Sequence, residues 1–443
     1  MKLAVLLLEV ASMKWCRGLF LSILAVPALA QPVRLSLADA VHRALSVGTQ
    51  AQLARTAEER ARIARLEAFQ SLLPQADARV IRYNQSINLQ TIGFTIPGQP
   101  PVVGPFNVTD AQIAAAMQLF NLAALRAYQS LRQGETASRY ATEQAENDVA
   151  AAVARLYVLV QRAATQVSSR EADIALFERL QKVAQDEFDA GTGTRLDVAQ
   201  ATVQVDRARQ SLLIAQNDER NAILALLNAI GEDEGTAVTL TEPLAPAPPA
   251  PPVDSALAAA RSERPELKEI AAREKAASLA LSAQRSRRLP ALGFDFLGDY
   301  SGNHANDLLW TRRIAATLSM PLFHADIEAA IGRAHADYLD ARIRATQEQR
   351  DVEQDVRRAV MNLDSANARL AVATENARVS EEALTVARDR RAAGYGSPVE
   401  VDRAQDTYRQ AREDLIAAQA DAAAANFDLQ HATGEIRKLV EGK

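Results

Sequence analysis

Phe188-Asp189-Ala190-Gly191-Thr192-Gly193-Thr194-Arg195-Leu196-Asp197-Val198 returns 203 residues later as Arg391-Ala392-Ala393-Gly394-Tyr395-Gly396-Ser397-Pro398-Val399-Glu400-Val401. In each copy a Gly-x-Gly sits between two stretches of helix-forming residues. Glycine supplies the left-handed cap of one helix, and the residues after it open the next, so each copy is an antiparallel helical hairpin. Working outward, Val183 to Gly231 aligns without a gap onto Val386 to Gly434. Upstream, Leu73-Pro74 matches Leu289-Pro290 at an offset of 216, whereas Leu119-Phe120 matches Leu322-Phe323 at 203 again. The chain is thus a duplication of a unit of about two hundred residues, and the first copy holds 13 extra residues between Pro74 and Leu119. The Pro- and Gly-rich stretch Ile92 to Pro105 is where an inserted loop is expected.

Away from the turns, Pro is absent from 121–189 and from 324–391, and the only Gly residues there are Gly134 and Gly332. Each copy is therefore expected to hold a helix about 100 Å long at 1.5 Å per residue. Val352, Val356, Ala359, Leu363, Ala366, Leu370, Ala373, Ala377, Ser380, Leu384 and Ala387 keep a strict 4,3 spacing, matched by Val149, Val153, Leu156, Val160, Ala163 and Val167. This is a coiled-coil seam, and its small Ala residues allow close approach. A helix from about Thr49 to Leu73 and a return helix from Thr194 to Ile230 together nearly equal the long helix, so two short helices can stack beside it. Pro243 to Pro252 is expected to be an extended, exposed linker between the copies.

The composition agrees with long helices: 443 residues carry only 18 Gly and 17 Pro, with few aromatics. A formal charge of −5 without basic runs gives no footing to nucleic-acid binding. Lys14 and Arg17, the apolar run Leu19 to Val26 and Ala28-Leu29-Ala30 read as an export signal. Cys16, the sole cysteine, falls inside that signal. No later apolar run reaches the length of a transmembrane helix.

Four segments alternate with period two. In the second copy Leu292, Phe294, Phe296, Gly298 and Tyr300 oppose Asp295 and Asp299, while Ile314, Ala316, Leu318 and Met320 oppose Arg313, Thr317 and Ser319. The first copy shows Ala76, Ala78 and Val80 against Asp77 and Arg79, then Ile113, Ala115, Met117 and Leu119 against Gln112 and Gln118. Each run is about ten residues long, enough for a tilted strand to cross a bilayer core; two hairpins on a soluble core would show the same alternation. Trp310, Tyr83 and Tyr300 lie near strand ends, where an interfacial aromatic belt would be. Four strands cannot close a barrel in lipid, so several chains must share one.

No catalytic or metal-binding constellation is present. His42, His304, His324, His335 and His431 are scattered, with no HExxH and no paired-carboxylate pattern. No cofactor is expected.

The boundaries expected from these readings are an export signal over 1–30, with Met13 a better first residue than Met1, and a first repeat over 31–242. That repeat has strands at about 76–90 and 111–119, a long helix at about 121–189 and a return helix at about 194–230. A linker over 243–252 precedes a second repeat over 253–443, with strands at about 291–300 and 310–320, a long helix at about 324–391 and a return helix at about 397–433.

The export signal, the duplicated strand and helix hairpins, the Leu-Pro before each first strand, Met320-Pro321-Leu322-Phe323 entering the long helix and the turn 188–198 together resemble the TolC-type outer-membrane efflux family. The resemblance covers essentially all of the exported chain. It implies a mainly α fold with a β-barrel portion: a homotrimer whose twelve-stranded barrel in the outer membrane of a Gram-negative type cell continues as a periplasmic α-helical barrel. Implied partners are a periplasmic adaptor (membrane fusion) protein, an inner-membrane transporter and outer-membrane lipid, with no nucleic acid. Gly191, Gly193, Gly394 and Gly396 take the adaptor-contact positions at the periplasmic tip, on top of their role as caps. Asp197 and Glu400 take the acidic position after each turn. The second acid of the family pattern is replaced by Gln200 and Arg403, so a different network, with Arg195, Arg390 and Arg391 pairing with Asp197 and Glu400, is the candidate gate, beside simple helix N-terminal charge at both acids. The competing reading is a soluble periplasmic coiled-coil scaffold or adaptor.

Overall fold

The computed structural model describes residues 33–244, 246–304 and 306–438, so the export signal lies outside the described residues. Strand β1 (Val33–Leu35) leads into helices α1 (Leu37–Val47) and α2 (Thr49–Gln70). A hairpin of β2 (Gln75–Asn88) and β3 (Val102–Phe120) follows, then the long helix α3 (Leu122–Asp189), its return α4 (Arg195–Ile230) and the short β4 (Val238–Leu240). The second copy runs α5 (Val253–Glu263), α6 (Pro265–Ser286), β5 (Ala291–Gly302), β6 (Leu309–Ser319), α7 (Ala325–Ala392) and α8 (Pro398–Thr433). Both long helices have 68 residues and both returns 36, so the duplication extends to element lengths.

Local chemistry places the helix ends. Asn121 caps α3 by accepting from the Ala124 N–H at 3.0 Å, and Gly231 and Gly434 close α4 and α8 at φ +71° and +79°, a region open to glycine. Two short helices line each long one. Arg65 and Arg55 of α2 pair with Glu135 and Glu146 of α3 at 2.6 and 2.8 Å. Further along α3, Glu178 meets Arg209 of α4 at 2.9 Å and Gln181 meets Thr202 at 2.9 Å. Helix α6 packs against both α3 and α7, and Ser130 of α3 donates to the Ala276 carbonyl at 2.7 Å. The second copy's short helix is thereby fastened to the first copy's long one.

The core follows the seams. Val352, Val356, Ala359, Leu363, Ala366, Ala373, Ala377, Ser380, Leu384 and Ala387 are buried, and Leu370 is half-buried against the same cluster. In the first copy Val153, Val160 and Ala163 join Leu226, Leu227 and Ile230 of α4, with Val41 and Ala44 of α1. β1 and β4 pair in parallel beside this cluster, and the buried Tyr157 hydroxyl donates to the Leu35 carbonyl at 3.1 Å. The linker after Leu240 is extended, but it is not free on the surface. Ala247 and Ala250 pack against the second core, and the Asn367 side chain donates to the Pro248 carbonyl at 2.9 Å. Small Ala and Pro residues let an extended strap lie flat along α7.

The four long strands form one antiparallel sheet in the order β2-β3-β5-β6, with β2 and β6 as edges. β3 begins at Val102, well before the expected 111, so the last residues of the expected loop 92–105 are strand. Gly104 and Pro105 read as loop formers, yet they sit at a bulge opposite Gln85 to Ile87, where a strand tolerates them. Gly104 has φ +116°, and a Cβ there would stand 2.8 Å from the Gln85 carbonyl oxygen. The extra residues of the first copy thus lengthen its hairpin beyond the Thr109–Gly302 pair as well as enlarging its turn. A second bulge after Gln118 sets Phe120, not Leu119, opposite Leu292.

Candidate functional site: a membrane face and two helical tips

The sheet register sorts side chains into two faces. Val80, Ala111, Tyr300 and Trp310 are directly opposite one another across the four strands, as are Ala76, Ala115, Phe296 and Ile314. This face is apolar and uncovered: Val80 is 75% exposed and Leu318 is 71% exposed. Tyr300 and Trp310 stack with ring centroids 4.7 Å apart. Gly298 makes room for the indole, whose Cη2 would stand 2.0 Å from a Cβ at that position. The opposite face carries Arg79, Gln112 and Asp299 in one row. Arg79 donates to Gln112 Oε1 at 2.7 Å, and Gln112 donates to Asp110 Oδ2 at 2.7 Å. A sheet with one apolar and one polar face, both open, suits lipid on one side and water on the other. Phe120, brought onto the apolar face by its bulge, marks the end near the helices, opposite the Trp310 end.

Among the described residues no helix is long and apolar enough to cross a membrane. The uncovered apolar face lies on the strands, about 100 Å from the far ends of α3 and α7.

At those far ends the two turns share one geometry. In the first, the N–H groups of Thr192 and Gly193 both donate to the Glu187 carbonyl at 2.9 Å. In the second, those of Tyr395 and Gly396 donate to the Arg390 carbonyl at 2.9 and 3.0 Å. Gly191 and Gly394 occupy the left-handed region at φ +75° and +82°. Gly193 and Gly396 are needed for a different reason, close backbone approach: a Cβ would lie 3.1 Å from the Phe188 nitrogen and 2.8 Å from the Arg391 nitrogen. The four glycines shape the tips, while neighbouring side chains furnish their surface. Tyr395 is 83% exposed, and the equivalent residues Leu196 and Val399 are 64% and 56% exposed. Sequence reasoning passed over these three, although an exposed apolar residue at the same place in both copies is a readable signal.

Of the two tip acids expected to meet the arginines, Glu400 does so and Asp197 does not. Asp197 does not join the arginines; it accepts from the Thr194 hydroxyl at 2.7 Å and the Thr194 N–H at 2.9 Å in a reciprocal capping box. These bonds hold its carboxyl below the ordinary range, with Arg391 adding a smaller pull. Arg390 meets Glu400 at 2.8 Å, within the second hairpin. Arg391 meets Glu187 of α3 at 3.5 Å, linking the two hairpins. Among the described residues Arg195 has no hydrogen-bond or ion-pair partner.

Between tips and core the hairpins share a half-buried charge cluster around the buried Asp173, which the sequence reading did not single out. Arg170 of α3 reaches Glu413 of α8 at 2.6 Å, and Arg412 reaches Asp173 at 3.4 Å and Ser169 Oγ at 2.8 Å. Burial raises the Asp173 carboxyl above its usual range against the pull of Arg412, Arg170 and Arg409. The available signal was Arg170 itself, which continues the 4,3 seam where the second copy has Ala373.

An amphipathic four-stranded sheet with free edges is continuous with two 68-residue helices. Residues 101–232 and 256–435 match the outer membrane efflux protein family, and the chain belongs to it. Its place is the outer membrane. A curated relative, the outer membrane efflux protein BepC of Brucella suis biovar 1 (strain 1330), is 24% identical over 276 residues, covering 60% of this chain and 59% of that protein. The fold is that of solved channels. The Campylobacter jejuni CmeC outer membrane channel superposes with a TM-score of 0.74 at 17% identity, over 90% of this chain and 85% of that one. The outer membrane protein VceC of Vibrio cholerae does so with 0.75 at 16%, over 90% and 96%.

Proposed function

We propose that this protein is the passive exit duct of a tripartite export system. Three copies close a twelve-stranded barrel in the outer membrane, and their helical hairpins form one periplasmic tube. A periplasmic adaptor protein docks at the tips, and an inner-membrane transporter supplies cargo. The observation that carries this reading is the four-stranded sheet itself, whose apolar face and β2 and β6 edges are uncovered in one protomer. In lipid an open edge leaves backbone groups unpaired, and pairing β6 of one copy with β2 of the next removes that cost. The two strands run in opposite directions, as antiparallel closure requires. A soluble scaffold would leave Val80, Ile314 and Leu318 in water, an exposed patch that a soluble chain avoids.

At the tips, Tyr395, Leu196 and Val399 supply exposed contact surface around the Gly191–Gly193 and Gly394–Gly396 turns, while Arg390–Glu400 and Arg391–Glu187 are the candidate closing pairs. Asp197 and Arg195 belong to the same mouth, Asp197 as a cap. The hairpin turn between β2 and β3 lies opposite the helices and so faces outward. Reconstitution tests the whole: the protein extracts only with detergent, migrates as a trimer and gives single-channel steps in planar bilayers. A tag after Gly98, where the backbone turns in open space, is accessible on intact cells. A soluble monomer, or a tag reached only after permeabilisation, would overturn the reading.

A further inference from the structure

The apolar face of the sheet carries two charges that nothing in the protomer neutralises. Arg312 lies opposite Gly298 on β6, in the row of Ile113 and Ala78, and Arg82 lies opposite Thr109 on β2. Both are exposed, and among the described residues neither has a hydrogen-bond or ion-pair partner. The row of Val80, Ala111, Tyr300 and Trp310 runs between their two levels. The other arginines of these strands, Arg79 and Arg313, project from the polar face.

Depth decides what such residues can meet. Two residues along a tilted strand correspond to about 5 Å of membrane depth, so Arg312 starts about 5 Å inside Trp310 on β6, and Arg82 about 5 Å outside Val80 on β2. A guanidinium on the lipid face costs about 2–4 kcal/mol at the bilayer midplane and close to nothing at the interface, and a long side chain directs its head toward that interface. Arg312 therefore reaches from β6 toward the level of the Trp310 ring beside it, and Arg82, on the turn side of Val80, reaches the same interface from β2. Both lie toward the β2–β3 turn, away from α3 and α7, which is the outer-leaflet end.

We propose that Arg82 and Arg312 form a binding site for the phosphate groups of an outer-leaflet phosphoglycolipid, with the Tyr300–Trp310 pair against its sugar and upper acyl region. The planar fork of arginine matches phosphate oxygens two at a time, and at the edge of hydrocarbon such a charged pair is little screened. Aromatic rings at this level have an apolar body for the chains and polar atoms for the headgroup. The site deepens the trimeric-duct reading and rests on it. When β6 of one copy pairs with β2 of the next, Arg312 and Arg82 come from neighbouring subunits onto neighbouring strands, so each lipid bridges a subunit boundary and each trimer has three such sites.

The test uses the full-length trimer in detergent, exposed to bisphosphorylated lipid A and, separately, to the same lipid stripped of its phosphates, with bound lipid counted by native mass spectrometry. The parent trimer retains the bisphosphorylated lipid and releases the stripped one. Arg82→Gln and Arg312→Gln each lower retention about tenfold, the loss expected for one charge-assisted contact. Arg82→Lys with Arg312→Lys, which keeps charge without the fork, falls between. Arg79→Gln with Arg313→Gln, on the polar face, leaves retention unchanged. Inorganic phosphate at millimolar concentration does not displace the lipid, since a free anion lacks the acyl chains. Equal retention of both lipids, or of the phosphorylated lipid by parent and glutamine variants, overturns the site while the trimer stands. Should the glutamine variants assemble poorly, the lysine pair and the stripped lipid still decide. A parent chain that forms no trimer in the same spectra overturns the duct reading instead.

Discussion

Arg391 at the end of α7 stands 3.5 Å from Glu187 at the end of α3, and this pair ties the two hairpin tips of one protomer together. The neighbouring Arg390–Glu400 pair joins α7 to its own return helix, α8, and so stiffens one hairpin without linking it to the other. The two adjacent arginines therefore act on separate contacts, one within a hairpin and one between hairpins.

Glu187→Gln is expected to loosen the mouth more than Glu400→Gln. Half-exposed pairs contribute about 0–1 kcal/mol each, so three symmetry copies shift a closed-to-open equilibrium by roughly one or two powers of ten at most. Single-channel recordings should show higher mean conductance for Glu187→Gln, with the difference from the parent shrinking at high salt. Identical conductance in parent and variant at low salt would show that this pair does not help hold the mouth closed.

Docking at the tips is expected to depend on side chains more than on the glycines beside them. Replacing Tyr395, Leu196 and Val399 by Ser removes exposed contact surface without disturbing either turn. Gly396→Ala, by contrast, forces a shift, because its Cβ meets the Arg391 nitrogen at 2.8 Å, and Gly394→Ala costs about 1 kcal/mol at φ +82°. The triple serine variant should assemble as the parent does, yet lose export and adaptor co-purification. Full export from that trimer would move the docking surface elsewhere.

The legible parts of this molecule were those governed by spacing. The 4,3 seam through Val352, Val356 and Leu363 marks buried positions because helix period and residue type act together over many turns. Alternation likewise separated Phe296 and Ile314 from Asp299 and Arg313. Spacing could not show that the strand continues through Gly104 and Pro105, since a bulge is set by the partner strand. Nor could it show which acid each tip arginine chooses, because long side chains of opposite charge have several partners within reach. The Asp197 capping box is written plainly in the sequence as Thr194-x-x-Asp197. Arg170 was legible as a charge in a seam; its partners on α8 came only with the packing of one hairpin against the other.

Leu363→Ala should be the most damaging simple truncation in the second core. Leu363 is fully buried among Val356, Ala359 and Ala366, where residues on a rigid long helix cannot collapse into the space left behind. Such truncations cost about 2–5 kcal/mol. Thermal unfolding of the detergent-solubilised trimer, followed by circular dichroism, should shift down by several degrees, whereas Met361→Ala, on the exposed side of the same turn, should leave it nearly unchanged. Equal shifts would argue that Met361 is covered by a neighbouring subunit.

The buried Asp173 between the hairpins makes stability depend on pH. Asp173 faces Arg412, Arg170 and Arg409, with Glu413 nearby, and its loss of hydration outweighs the attraction of the arginines, so its carboxyl is raised. The folded protein therefore keeps a proton there that the unfolded chain releases near pH 4. The contribution of this group to stability is full below that pH and declines as pH rises through the folded value. Asp173→Asn keeps the shape of the side chain and removes the ionisation, while Arg170 keeps Glu413 at 2.6 Å and Arg412 keeps Ser169 at 2.8 Å. At pH 7 the variant should be at least as stable as the parent, and by pH 4 any advantage should have closed. Melting temperatures taken across that range decide the matter. A variant that is less stable at pH 7, with a deficit that grows as pH rises, would show that ionised Asp173 holds the hairpins together through its arginines and that attraction, not burial, dominates at this contact.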